Sequence, residues 1–183
     1  WLLSRGLDPD SEALAGTPDR MLRALEEFTA GYDLDPEMIL GRTFEVHRSN
    51  QPVIVTGIPF TSVCEHHVMP FVGTASIAYL PAEGGRVVGL SKIPRLLDVY
   101  ARRFQTQEQL TRQVTDALEK YLAVDGTSCI IRSEHGCLAH RGARKLGAVM
   151  VTASYTGVFE SDLQARLELH SLIAGSGTAG TRW

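Results

Sequence analysis

The 183-residue chain holds only three cysteines, Cys64, Cys129 and Cys137. So few, and an odd number, exclude a disulfide-built scaffold and point to a reducing, cytoplasmic compartment. No apolar run approaches the roughly 20 residues that span a bilayer, so no membrane anchor is expected. Basic charge is not in excess: 18 Lys and Arg against 21 Asp and Glu give a net charge of −3. No overall field recruits nucleic acid, and an anionic ligand would need a local cluster of cations. Internal repeats, long linkers and a secretory signal are absent too. The chain opens at Trp1 rather than methionine, so the expectation is that a preceding piece has been removed, with a targeting segment left open.

What is present suits one soluble globular domain, with 44% hydrophobic and 21% charged residues. Residues 1–42 read as a helical segment. Thr17-Pro18 gives an N-cap and a first-turn proline, Met21, Leu22, Leu25 and Phe28 follow helical spacing, and Gly31 marks the stop. Strand character follows in residues 43–183, at Val53–Val55 and Thr74–Leu80, closed by Pro81 and the Gly84-Gly85 turn. Two helices come next. Ser91 caps the first, with Ile93, Leu96, Leu97, Tyr100 and Phe104 inward. Thr106 and Gln109 form a capping box for the second, with Leu110, Val114, Leu118, Tyr121 and Leu122 inward. Strands return at Ser128–Arg132 and Val149–Tyr155, then a helix at Leu163–Ile173 and a frayed glycine-rich tail from about 175. Strands, a helix pair and strands again predict an α+β domain with helices on one face of an antiparallel sheet.

The chemistry-bearing residues fall into three groups. Cys64-Glu65-His66-His67 spaces a thiol and an imidazole so that both reach one ion, and His135-Gly136-Cys137 supplies a second pair, with Gly136 allowing a tight bend. Two sulfurs with imidazole nitrogens favour zinc over magnesium or calcium. Two readings use these atoms. Cys64, His67, His135 and Cys137 would close a structural site, in a non-catalytic, zinc-stabilised, nucleotide-binding subunit. Three ligands would instead leave a catalytic position for water. Cys129, inside a strand, reads as a buried thiol. The second group is cationic: Ser91 at a helix start, with Lys92 and Arg95 on one helix face, and Arg141 after the Cys137 loop, suit a polyphosphate. The third is Glu108, in a first helical turn. It either complements the helix dipole or accepts two hydrogen bonds from the N1–H and 2-amino edge of guanine.

Taken together, the segments Phe60–His67, Gly89–Lys92, Gln107–Thr111, His135–Cys137 and Arg141-Gly142 resemble those of the GTP cyclohydrolase I family, in order and spacing, over most of the chain from the Thr17-Pro18 helix to Phe159. The resemblance implies a tunnelling fold: an antiparallel sheet backed by two antiparallel helices, after an N-terminal helical segment. It also implies a homodecamer of two stacked pentamers with active sites between subunits. By the same resemblance Cys64, His67 and Cys137 hold zinc, and His66 and His135 move protons. Glu108 anchors the guanine, Gln107 also binds substrate, Lys92, Arg95 and Arg141 bind its triphosphate, and Ser91 acts near the ribose. The implied reaction is hydrolytic opening of the imidazole ring of GTP, with release of formate and formation of 7,8-dihydroneopterin triphosphate; a divergent relative could serve specialised deazapurine or pterin metabolism, or stop at ring opening. The chain departs from the family pattern at Gly136, at His140 and at Val149–Ala153, none of them a position given a chemical role.

Overall fold

The computed structural model describes residues 1–45 and 51–176. The tail anticipated as frayed lies, beyond Ser176, outside the described residues.

The N-terminal segment is helical, as its spacing predicts: α1 spans Thr17–Thr29 and α2 spans Pro36–Leu40. Two details differ from expectation. Thr17 is the first helical residue rather than the cap, and its Oγ1 instead accepts from Arg20 at 2.8 Å. Gly31 does not end α1; it lies in the 3-10 turn Ala30–Asp33, where close packing demands glycine. A Cβ there would sit 2.5 Å from the Val99 carbonyl and 2.6 Å from that of Arg102.

A short antiparallel pair, β1 (Thr43–Glu45) and β4 (Arg86–Val88), stands beside the main sheet. That sheet contains β2 (Val53–Cys64), β3 (Met69–Pro81), β5 (Phe104–Gln105), β6 (Val124–His135) and β7 (Val149–Gly157), in the order β5-β2-β3-β6-β7. All its pairings are antiparallel except β2 with β5, where Val63 faces Phe104 and Cys64 faces Gln105.

Between β4 and β6 run α3 (Lys92–Ala101) and α4 (Gln107–Tyr121), a helical pair on one face of the sheet. Alternation puts Ile58, Phe60, Phe71, Ala75, Ile77, Cys129 and Ile131 on that face, packed against Ile93, Leu96, Leu97, Leu110, Val114 and Leu118. Tyr100 is half-buried, whereas Phe104 has left the helix for β5 and stays 37% exposed. Ser91 occupies the cap position of α3 but its side chain makes no capping bond; Thr106 does cap α4, accepting from the Gln109 N–H at 3.3 Å.

Where α4 crosses β6 and β7 the contact is polar. Thr111 meets Thr152 at 2.6 Å, Thr115 meets Ser154 at 2.8 Å, and Thr127 meets Thr156 at 2.9 Å. Each hydroxyl thus has a partner, the condition for burying it cheaply. The chain closes with α5 (Gly136–Ala139), before β7, and then α6 (Val158–Ser161) and α7 (Leu163–Gly175) after it. Phe159 and Leu169 bury Ala78 on the far side of the sheet. No helix among the described residues is long and apolar enough to cross a membrane. The result is the α+β architecture the sequence predicts, a sheet backed by two helices.

Candidate active site

Strand β2 ends at Cys64 and the chain reverses through Glu65–Val68 into β3. The reversal is tight because the N–H of Val68 donates to the Cys64 carbonyl at 2.9 Å and Val68 itself adopts φ 52°. His67 is thereby folded back over Cys64, with Nδ1 3.7 Å from Sγ. At the same end of β3, where Phe71 pairs with His135, β6 finishes and Cys137 follows in α5. Gly136 allows this by close approach, not by a bend in the left-handed region: a Cβ would lie 2.7 Å from the Pro70 carbonyl.

Cys64 Sγ, Cys137 Sγ and one ring nitrogen of His67 all lie within 4.8 Å of one another. Ligands about 2.0–2.3 Å from a tetrahedral centre stand roughly 3.3–3.8 Å apart, so the 3.7 Å between Cys64 and His67 fits one ion. The donor chemistry fits too. Burial and the neighbouring Cys64 push the Cys137 thiol up, and such a sulfur pair ionises readily only beside a cation. Cys64 is buried, Cys137 half-buried and His67 exposed, so the group opens toward solvent on its histidine side. Cys129 is fully buried in the core, its thiol pushed up by desolvation, and takes no part.

His135 stands apart from that group. Its ring stacks on its cross-strand neighbour Phe71, centroids 4.6 Å apart and planes within 3°. Its Nε2 meets Gln107 Oε1 at 2.8 Å. Burial lowers its pKa, opposed by the negative charge of Glu108 nearby. The first turn of α4 therefore lies against His135, with Glu108 exposed beside it. His66 is exposed, 3.6 Å from Glu65.

The cations are placed differently. The C-terminal end of α3 leads into β5 and so to Cys64, while Ser91, Lys92 and Arg95 lie at its N-terminal end. Ten helical residues, about 15 Å, separate the two ends. Within one chain, then, the metal-type group, His135 and Glu108 come together, but Ser91, Lys92 and Arg95 do not join them. Arg141 is exposed in the loop after α5. Among the described residues none of Lys92, Arg95 and Arg141 is paired with a carboxylate.

Gln107, expected to touch substrate, is buried. Its amide Nε2 donates to the carbonyls of Ile131 and Met150 and to Thr152 Oγ1, and its Oε1 receives Ser133 as well as His135. Sequence reasoning missed Ser133 and Thr152 as its companions, and Phe71 as the ring beneath His135. The available signal was Gln107's own position, in line with Leu110, Thr111, Val114 and Leu118 on the inward stripe of α4.

Residues 1–174 match the profile of GTP cyclohydrolase I. The chain belongs to the GTP cyclohydrolase I family. The GTP cyclohydrolase 1 of Corynebacterium glutamicum is 46% identical over 175 residues, 95% of this chain and 88% of that one. That of Bartonella quintana is 47% identical over 176 residues, 96% of this chain and 84% of that one. The solved structure of an archaeosine synthase QueF-Like in the apo form overlaps at a TM-score of 0.46 and 15% identity, across 61% of this chain and 97% of that one, a likeness too slight to carry an argument. Membership makes the chain an enzyme of the GTP cyclohydrolase I type, with the tunnelling fold of that family.

Proposed function

We propose that the chain is a zinc hydrolase that converts GTP and one net water into formate and 7,8-dihydroneopterin triphosphate. The observation that carries this reading is the three-membered Cys64, His67, Cys137 group, with His135 held outside it by Gln107. A structural zinc would take all four; three ligands leave a position for chemistry. Zinc bound by these residues supplies Lewis acidity that makes water nucleophilic near neutral pH.

The remaining work falls to side chains of this protein. Glu108 accepts from the guanine N1–H and 2-amino group, which adenine cannot offer as a pair. Lys92, Arg95 and Arg141, unspent on carboxylates among the described residues, hold the triphosphate. As water adds at C8, His135 or His66 delivers a proton to N7 as general acid, and the imidazole ring opens. A second water releases formate. Ser91 stands at the ribose, whose isomerisation to a ketose and condensation with the freed amine expel one water and close the new ring.

The separation of Lys92 from Cys64 along α3 supports a site completed by a second copy. So do the exposed apolar residues Met21, Leu22 and Phe28 of α1, and Val149 and Val151 of the edge strand β7. A hollow of about 990 Å³ on this uncovered side, lined by Phe28, Val72, Arg102, Arg132 and Glu134, includes none of the proposed site residues. We read it as part of a subunit contact in a homodecamer of stacked pentamers.

Incubating zinc-loaded protein with GTP tests the reaction. Formate, and a fluorescent pterin after oxidation, are expected. Absence of formate overturns the hydrolase; formate without pterin would restrict it to ring opening.

A further inference from the structure

We propose that Gln107 is a positioning residue that holds His135 as its Nε2–H tautomer and fixes the ring plane, so that Nδ1 is the nitrogen presented to substrate. The inference deepens the hydrolase reading and rests on it.

Several atoms around the Gln107 amide cannot change role. The carbonyl oxygens of Ile131 and Met150 only accept, and both lie 3.2 Å from one end of the Gln107 amide. That end must be the NH₂ group; a flipped amide would set oxygen against two oxygens. Thr152 Oγ1, 3.1 Å away, takes the same donor, and the Thr152 hydroxyl is itself engaged with Thr111 at 2.6 Å. The other end is therefore Oε1, which only accepts. Ser133 donates to it at 2.5 Å, so the remaining neighbour, His135 Nε2 at 2.8 Å, must donate as well. A neutral imidazole has one N–H; with it at Nε2, Nδ1 is bare. Among the described residues Nδ1 has no partner.

The ring is restrained in its other degree of freedom by the stack on Phe71, itself buried. Turning the imidazole over about its Cβ–Cγ bond would bring a C–H to Gln107 Oε1 and forfeit a half-buried hydrogen bond. Gln107 finds its partners on two strands, β6 and β7, because it opens α4 on the inward stripe. Its neighbour Glu108 points outward from the same turn. One helix start thus sets the place of the proposed base anchor and the orientation of the imidazole, whose Nδ1 takes up a proton before passing one to N7.

Two measurements test this. Neutron diffraction from wild-type crystals at alkaline pH should place the ring deuteron of His135 on Nε2; a deuteron on Nδ1 with Nε2 bare overturns the proposal. The variant Gln107→Met, similar in volume but without hydrogen bonds, should lower kcat by about 10- to 100-fold, as misorientation of a reacting group does, with zinc content and KM for GTP nearly unchanged. A raised KM with kcat retained would make Gln107 a substrate contact and overturn the positioning role. Should the variant fail to fold, the wild-type neutron map decides. Wild-type protein releasing no formate would sink the hydrolase reading, and the deuteron's position is read independently of that.

Discussion

Cys64 and Gln105 face one another across the parallel pairing of β2 and β5, and the N–H of Glu65 donates to the Gln105 carbonyl at 3.0 Å. That contact ties the metal-type group to the chain just after α3 and sends Lys92, at the helix start, to the far end. If a site needs both Cys64 and Lys92, it must draw them from different chains. Cys64→Ser and Lys92→Ala should each abolish most activity alone. Assembled together from equal amounts, they should restore about a quarter of the sites, since each site draws the needed residue from each of two chains half the time. Activity assays on refolded mixtures read this directly. Mixtures as inactive as the single variants would place all parts in one chain.

The metal group makes a second prediction, because ligands and proton donors differ in what their loss removes. Cys64→Ala, His67→Ala and Cys137→Ala should lose zinc. His66→Ala and His135→Ala should retain it while kcat falls by about 10²–10⁴, the usual worth of a general acid. Elemental analysis of gel-filtered protein distinguishes the two sets. Zinc lost on His135→Ala would restore the closed, four-ligand site.

These expectations show what the sequence could and could not reveal. Residue type and spacing made Cys64, His67, His135 and Cys137 legible as one pool of ligands; only the resemblance set His135 aside, and the fold groups the other three. The α3 and α4 stripes were legible because leucines at helical spacing have one sensible use. Strand β7 was harder. Its apolar Val149 and Val151 face out, while Thr152, Ser154 and Thr156 turn toward α4 and β6. A hydrophobic pattern read on one chain assigns such a strand the wrong inner face, because the outer face answers to a surface beyond the chain. The exposed side of α1 misleads for the same reason. Gly31 and Gly136 were read as a stop and a bend, but each is required by a carbonyl approaching from elsewhere in the fold, which no local pattern encodes.

Glu108 supplies a third prediction. Its side chain is exposed, and no ion pair claims it among the described residues. Glu108→Gln keeps the size but offers a single acceptor, so one hydrogen bond to the guanine edge is lost. Bonds to charged groups contribute about 1.5–3 kcal/mol, so kcat/KM for GTP should fall roughly 10- to 150-fold. The helix-dipole role alone would cost about 0.3–1 kcal/mol of stability and leave catalysis intact. Steady-state kinetics beside a thermal melt separates these, and unchanged kcat/KM would remove Glu108 from the site.

Gly31 tests the packing of the N-terminal segment on α3. Its N–H donates to the Arg102 carbonyl at 2.9 Å, and its own carbonyl receives Arg103 at 3.0 Å. Gly31→Ala pushes a methyl into the Val99 and Arg102 carbonyls, and backbone yields poorly. A loss of about 1–3 kcal/mol is expected, as for other overpacked sites, seen as a lower melting temperature with zinc content preserved. A neutral Gly31→Ala would show that the turn can shift away from α3.

Val68 carries the last prediction. A β-branched residue at φ 52° is out of place, because its Cβ crowds the following carbonyl at a cost of about 1–2 kcal/mol. The side chain gains little in return, being 51% exposed. The position is held by the turn that folds His67 back on Cys64, so the strain maintains the metal group. Val68→Asn suits the same backbone with less penalty and should raise the melting temperature by about 2 °C while keeping zinc. Calorimetry on the zinc-loaded protein reads the shift. A lower melting temperature would mean that Val68 packs against a neighbouring subunit, and that its contact there outweighs the strain.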